Sequence, residues 1–135
     1  MAACEVLAFL FCDRASKSSD GKASLRGLFD TIVVSPARRP MVPRLRVLRE
    51  PTDFFVFYKA AVHRPCTLSL RVFDPNGGEI ASEWSDPIEQ PGLVQSVWVM
   101  ATAFFLQEGR YRFELWHNFS GRLVTAYLEV VYAAA

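Results

Sequence analysis

Hydrophobic and polar residues alternate with period two through most of this chain, most clearly in its last hairpin. One arm runs Glu108-Gly-Arg-Tyr-Arg-Phe-Glu-Leu-Trp-His117, the other Arg122-Leu-Val-Thr-Ala-Tyr-Leu-Glu-Val-Val131, with a short turn ending in Gly121 between them. That pattern describes an antiparallel pair with one face buried. Residues 67–73 alternate as cleanly, with Leu68, Leu70 and Val72 inward and Thr67, Ser69 and Arg71 outward. The following Asp74-Pro-Asn-Gly-Gly78 combines a preset φ at Pro75 with Asn-Gly, and closes a hairpin onto residues 79–84.

Upstream, residues 5–13 are apolar on both parities, as expected of a strand covered on both faces or lying at the sandwich centre. A polar turn containing Asp20-Gly21 then returns the chain into a strand over 23–34, where Gly27 marks a bulge or a close backbone approach. Residues 54–62 are aromatic-rich on both parities, and 93–106 read as one long strand bending near Ala101, Thr102 and Ala103. Gly109-x-Tyr111-x-Phe113 has the spacing of a tyrosine corner, in which the hydroxyl ties down the preceding loop. No stretch of ten or more residues shows a 3.6 period. Seven or eight strands at roughly ten-residue spacing predict an all-β, immunoglobulin-like antiparallel β-sandwich with minimal helix, in a single domain over 1–135.

Residues 35–52 break the pattern. Four prolines and five arginines (Arg38, Arg39, Arg44, Arg46, Arg49) precede or surround a single acid, Glu50. Proline at that density removes ladder donors, so this is an irregular arm with at most a short edge strand at 45–48. The net charge of the whole chain is only +1, with 21% charged residues, so no global field selects nucleic acid or an anionic membrane. The arm lacks interleaved aromatics and a second basic patch, which argues against nucleic acid. The apolar start has no preceding Lys or Arg and no small-residue cleavage site, so it reads as a first strand and not as a signal peptide.

Candidate chemistry is sparse. Cys4, Cys12 and Cys66 have no paired spacing and read as reduced thiols of a cytoplasmic protein, with Cys12 packed in the core. His63 reads as a strand-end surface residue and His117 as one flanking the last turn, neither in a nucleophile arrangement. Asp74, Glu79, Glu83, Asp86 and Glu89 form an acidic edge whose alternating positions and intervening prolines oppose convergence on calcium. No metal or cofactor is expected.

Several motifs together resemble an uncharacterised family of small bacterial β-sandwich proteins: Cys12-Asp13, Asp20-Gly21-Lys22, Leu25-x-Gly27-x-Phe29-Asp30-x-Ile32, Asp74-Pro75-x-Gly77 and Gly109-x-Tyr111-x-Phe113. The resemblance implies an immunoglobulin-like sandwich without an assigned activity. The long arginine and proline arm departs from that pattern, and Asp13 and Asp30, beside turns, suit loop-anchoring hydrogen bonds better than catalysis.

These readings converge on a non-enzymatic protein-interaction or assembly module that docks a protein partner or a second copy of itself through a sheet face or edge. Arg38, Arg39, Arg44 and Arg46 of the arm, with the outward Trp116 and Tyr127, are the candidate contact residues. The alternative is a small-ligand or carbohydrate-binding sandwich using Trp84, Trp98 or Trp116 as a stacking platform.

Overall fold

The computed structural model describes residues 4–20, 22–34, 53–101 and 107–132. Among these, the period-two segments form nine strands and no helix: β1 (Cys4–Lys17), β2 (Ala23–Phe29), β3 (Thr31–Val34), β4 (Asp53–Val62), β5 (Leu68–Phe73), β6 (Glu79–Trp84), β7 (Gly92–Ala101), β8 (Gly109–His117) and β9 (Gly121–Tyr132). They make a four-stranded sheet in the order β2-β1-β4-β7 and a five-stranded sheet in the order β3-β9-β8-β5-β6. Every pairing is antiparallel except β3 with β9. The arm at 35–52 and the expected bend at 101–103 fall outside the described residues, apart from Ala101 itself at the end of β7.

The ninth strand comes from a split. The sequence reads 23–34 as continuous, but the chain leaves the first sheet after Phe29 and joins the second at Thr31, with Glu129 N donating to Asp30 O at 2.9 Å. Gly27 prepares the crossing. Its φ is +66°, and a Cβ there would collide with the Asp13 carboxylate, so the close approach expected of this glycine is to the Cys-Asp motif.

Alternation places one set of side chains between the sheets. Phe54, Val56, Tyr58, Ala60 and Val62 of β4 face Leu68, Leu70 and Val72 of β5, Tyr111, Phe113 and Leu115 of β8, and Leu128 and Val130 of β9. Phe11 meets Phe113 edge-on at a centroid separation of 4.8 Å and lies near Phe29 and Phe54, so aromatic packing joins the two sheets. Burying each such ring stabilises the fold by about 1.5–3 kcal/mol.

Two motif contacts fix the end of the sandwich next to β8. Tyr111 Oη donates to Gln107 O at 2.9 Å and accepts from Gln107 N at 3.3 Å, the expected tyrosine corner. Pro75 of the Asp-Pro turn packs on Gly109, where an added Cβ would lie 2.7 Å from Pro75 Cγ. Asp74 Oδ1 holds that turn by accepting from Asn76 N and Gly78 N, each at 2.9 Å.

Candidate interaction surfaces

The outer face of the five-stranded sheet is largely polar, with its central charges engaged among themselves and Tyr127 and Trp84 half exposed at its flanks. Pairing places Phe73 beside Arg112 and Tyr127, Arg71 beside Glu114 and Thr125, and Ser69 beside Trp116 and Trp84. Glu114 is 3% exposed, a carboxylate covered by its neighbours. Trp116 Nε1 donates to its Oε1 at 2.8 Å, and Arg122 Nη1 donates to Oε2 at 3.4 Å. Arg112 Nε sits 2.8 Å from Oε2 as an ion pair, without the alignment of a hydrogen bond. The arginines also lie over rings: Arg71 over Trp116 at 4.0 Å, Arg112 over Phe73 at 4.3 Å and Arg110 over Tyr127 at 5.3 Å. Trp116 and Tyr127 therefore point outward as their parity predicts, but Trp116 is half-buried and holds both a carboxylate and an arginine. Arg38, Arg39, Arg44 and Arg46 lie outside the described residues.

The outer face of the four-stranded sheet is the opposite in character. Register aligns Leu28, Cys12, Phe55 and Val99 in one row across all four strands, and Leu10, Phe57 and Val97 in the next. Both rows are wholly apolar. Leu28 is 60% exposed, Val99 56% and Leu10 38%, and Leu93 farther along β7 is 66% exposed. The expectation that β1 is covered on both faces is corrected here, since Leu7 and Leu10 are exposed. Cys12 is fully buried but within this outer row, not between the sheets. Phe57 is also buried, and it lines a cavity of about 270 Å³ with Ala15 and Lys17 of β1 and Leu25 of β2.

The same sheet ends in β7. Its ten residues, Gly-Leu-Val-Gln-Ser-Val-Trp-Val-Met-Ala, contain no charge and no proline and pair with β4 without a bulge. Its other side pairs with no described strand. The signal is in the sequence, because no charged residue occurs between Gly92 and Gln107, but a strand pattern alone does not say whether the strand lies at an edge.

Between β7 and β6 runs a seam. A cleft of about 380 Å³ there is lined by Tyr58, Trp84, Asp86, Ile88 and Trp98, and a second of about 320 Å³ by Val72, Ile80, Glu83 and Val99. Trp98 is corrected as a stacking platform: it is 8% exposed and stacks on Tyr58 at 5.0 Å. Trp84 is 53% exposed. Glu79, Glu83, Asp86 and Glu89 are exposed along this side, and among the described residues no three acids, histidines or cysteines gather as a metal site.

Among the other titratable groups, Cys4, Cys66 and Tyr58 are buried near one another. Burial, and then the nearby Cys66, pushes the Cys4 thiol up to about 11, and burial alone raises that of Cys66. Burial raises Cys12 as well, followed by the charge of Asp13. Such thiols stay protonated and are poor nucleophiles at neutral pH. His117 is 2% exposed, and its Nδ1 accepts from Phe119 N and Ser120 N, both at 3.1 Å, so it caps the last turn.

No family model matches the chain, and no curated protein matches it. Among solved structures it is similar to the C-terminal domain of wzt, at 8% identity and a TM-score of 0.54 over 99% of this chain and 77% of that one. That likeness shows the fold alone, and with the sheet order it defines an immunoglobulin-like β-sandwich. Weaker matches are an immunoglobulin-like protein from Pseudomonas aeruginosa (13% identity, TM-score 0.45, 96% of this chain and 97% of that one) and β-glucosidase 3B from Thermotoga neapolitana (10%, 0.45, 92% and 16%).

Proposed function

We propose that this domain is a non-enzymatic protein-interaction module working through the four-stranded sheet, by its apolar outer face and its β7 edge. The carrying observation is that edge: ten uncharged residues, among them Leu93 and Val99, 66% and 56% exposed. Sheet edges are ordinarily defended by charge, proline, a bulge or shortness, and a strand with none of these offers backbone groups for strand addition. The buried, protonated thiols suit a reducing, cytoplasmic setting. The small-ligand or carbohydrate reading retains only Trp84 as an open ring in the seam, since Trp98 is covered by Tyr58 and Trp116 by Arg71.

A photo-crosslinking residue at position 93, compared with one at position 122 on the other sheet, tests the proposal in cells producing the protein. Position 93 is expected to give an adduct of discrete mass and position 122 none. Equal adducts from both positions, or none from either, would reject it.

A further inference from the structure

We infer that the occupant of the β7 edge is a second copy of this chain, paired β7 to β7 antiparallel about a two-fold axis at Ser96. The inference rests on the interaction reading above and deepens it.

The register follows from the strand itself. A two-fold at Ser96 sets residue 96 opposite its own counterpart, 95 opposite 97, 94 opposite 98, 93 opposite 99 and 92 opposite 100. On the outer face this places Leu93, 66% exposed, against Val99, 56% exposed, at both ends of the pairing. The two large apolar side chains that the strand leaves open would cover each other. On the inner side, Val94 meets Trp98, and Gly92 leaves room for Met100. Shifting the register by one residue would turn one copy's apolar outer row against the other's inner row. The strand carries no charge, so a copy meets no like charge along it. An isologous contact of this kind closes at two chains and does not propagate.

The acids set the conditions. Glu79 and Glu83 lie on β6, which flanks the seam beside β7, so a two-fold brings the acidic rims of both copies toward one another. Their repulsion is screened by salt. The strand supplies about ten residues per copy, against roughly 20–30 in a standard interface, which describes a weak, concentration-dependent dimer.

The test is sedimentation velocity of the full chain across concentration and sodium chloride, with Val99→Lys, and Ser96→Cys under mild oxidation. The wild type is expected to pass from monomer to dimer, more readily at higher salt. Val99→Lys, which sets a lysine against Leu93 at both ends, is expected to weaken the dimer at least ~10-fold. Ser96→Cys is expected to form a disulfide-linked dimer well ahead of Leu93→Cys, whose thiols lie at opposite ends of the pairing. A monomer at every concentration, a dimer indifferent to Val99→Lys, or equal cross-linking of the two cysteine variants would overturn the inference. A position-93 photo-adduct of some other mass, with a monomeric chain, would also overturn it while leaving the interaction reading standing.

Discussion

The two sheets of this sandwich present outer faces of similar size and opposite design. On the five-stranded sheet the outward charges of β8 and β9 engage one another: Arg112, Arg122 and Trp116 converge on Glu114, and Arg110 pairs with Glu129 at 2.7 Å, while Arg71 of β5 covers Trp116. On the four-stranded sheet the two central outward rows hold leucine, valine, phenylalanine and Cys12, flanked by the rows of Arg14 with Arg26 and of Lys59 with Gln95, and the bounding strand β7 carries no charge. The edges repeat the contrast. β6 has six residues, two glutamates and a bulged pairing, whereas β7 has ten, no charge and unbroken register. A surface whose polar groups are already matched has little to offer a partner, whereas exposed apolar side chains beside an edge strand that pairs with no other described strand have more. The difference teaches that inward packing of the two sheets is alike while their outward chemistry is not, and the proposed division of stability from contact rests on that contrast.

The largest effect that would sharpen this division is on Glu114. Glu114→Ala removes the acceptor for Trp116 Nε1 and leaves Arg112 and Arg122 without their shared carboxylate. Removing one partner of a fully buried ion pair costs 3–5 kcal/mol, but these arginines are partly exposed and can rehydrate, so about 2 kcal/mol is expected. Urea unfolding measures it, and the association behaviour of the chain should not change. A stable Glu114→Ala protein with altered association would reverse the assignment of the two faces.

Much of this was legible in the sequence. Period two gave the strands, the Asp-Pro-Asn-Gly turn and the tyrosine corner gave two fixed points, and parity put Trp116 and Tyr127 outside. What parity cannot report is lateral neighbourhood. Glu114 looks solvated on its strand and is buried because Arg112 and Trp116 of the same strand and Arg122 of the next close over it. Residues 5–13 are apolar on both parities whether a strand is covered twice or faces outward with a contact surface, so Leu10 was misread. Trp98 has the inward parity of Val94 and Met100, which already places it between the sheets.

A smaller effect separates the sheets by pH. Burial lowers the pKa of His117 below its ordinary value of 6.5, so the native state stays neutral where the unfolded chain takes up a proton. Its contribution to stability is complete above that ordinary value and is lost progressively as pH falls below it, because ν is then larger in the unfolded state. The urea midpoint is expected to fall between about pH 7.5 and about pH 5, and to fall less in His117→Asn, whose side-chain oxygen can still accept from Phe119 and Ser120. An equal fall in both proteins would remove His117 from the account and place the acid sensitivity elsewhere.

The smallest expected effect is the most direct challenge to the apolar face. Leu28 is 60% exposed in the outer row beside Cys12, so Leu28→Lys forfeits little burial, and its stem can lie along the same row with the ammonium in water. The change in unfolding free energy should stay within about 0.5 kcal/mol. That near-neutrality matters, because a leucine that contributes almost nothing to the isolated fold is available to a partner. Were the substitution to cost about 2 kcal/mol or more, as a core truncation does, Leu28 would be packed against other parts of the chain. The four-stranded sheet would then have a covered outer face like its neighbour, and only the β7 edge would remain open to contact.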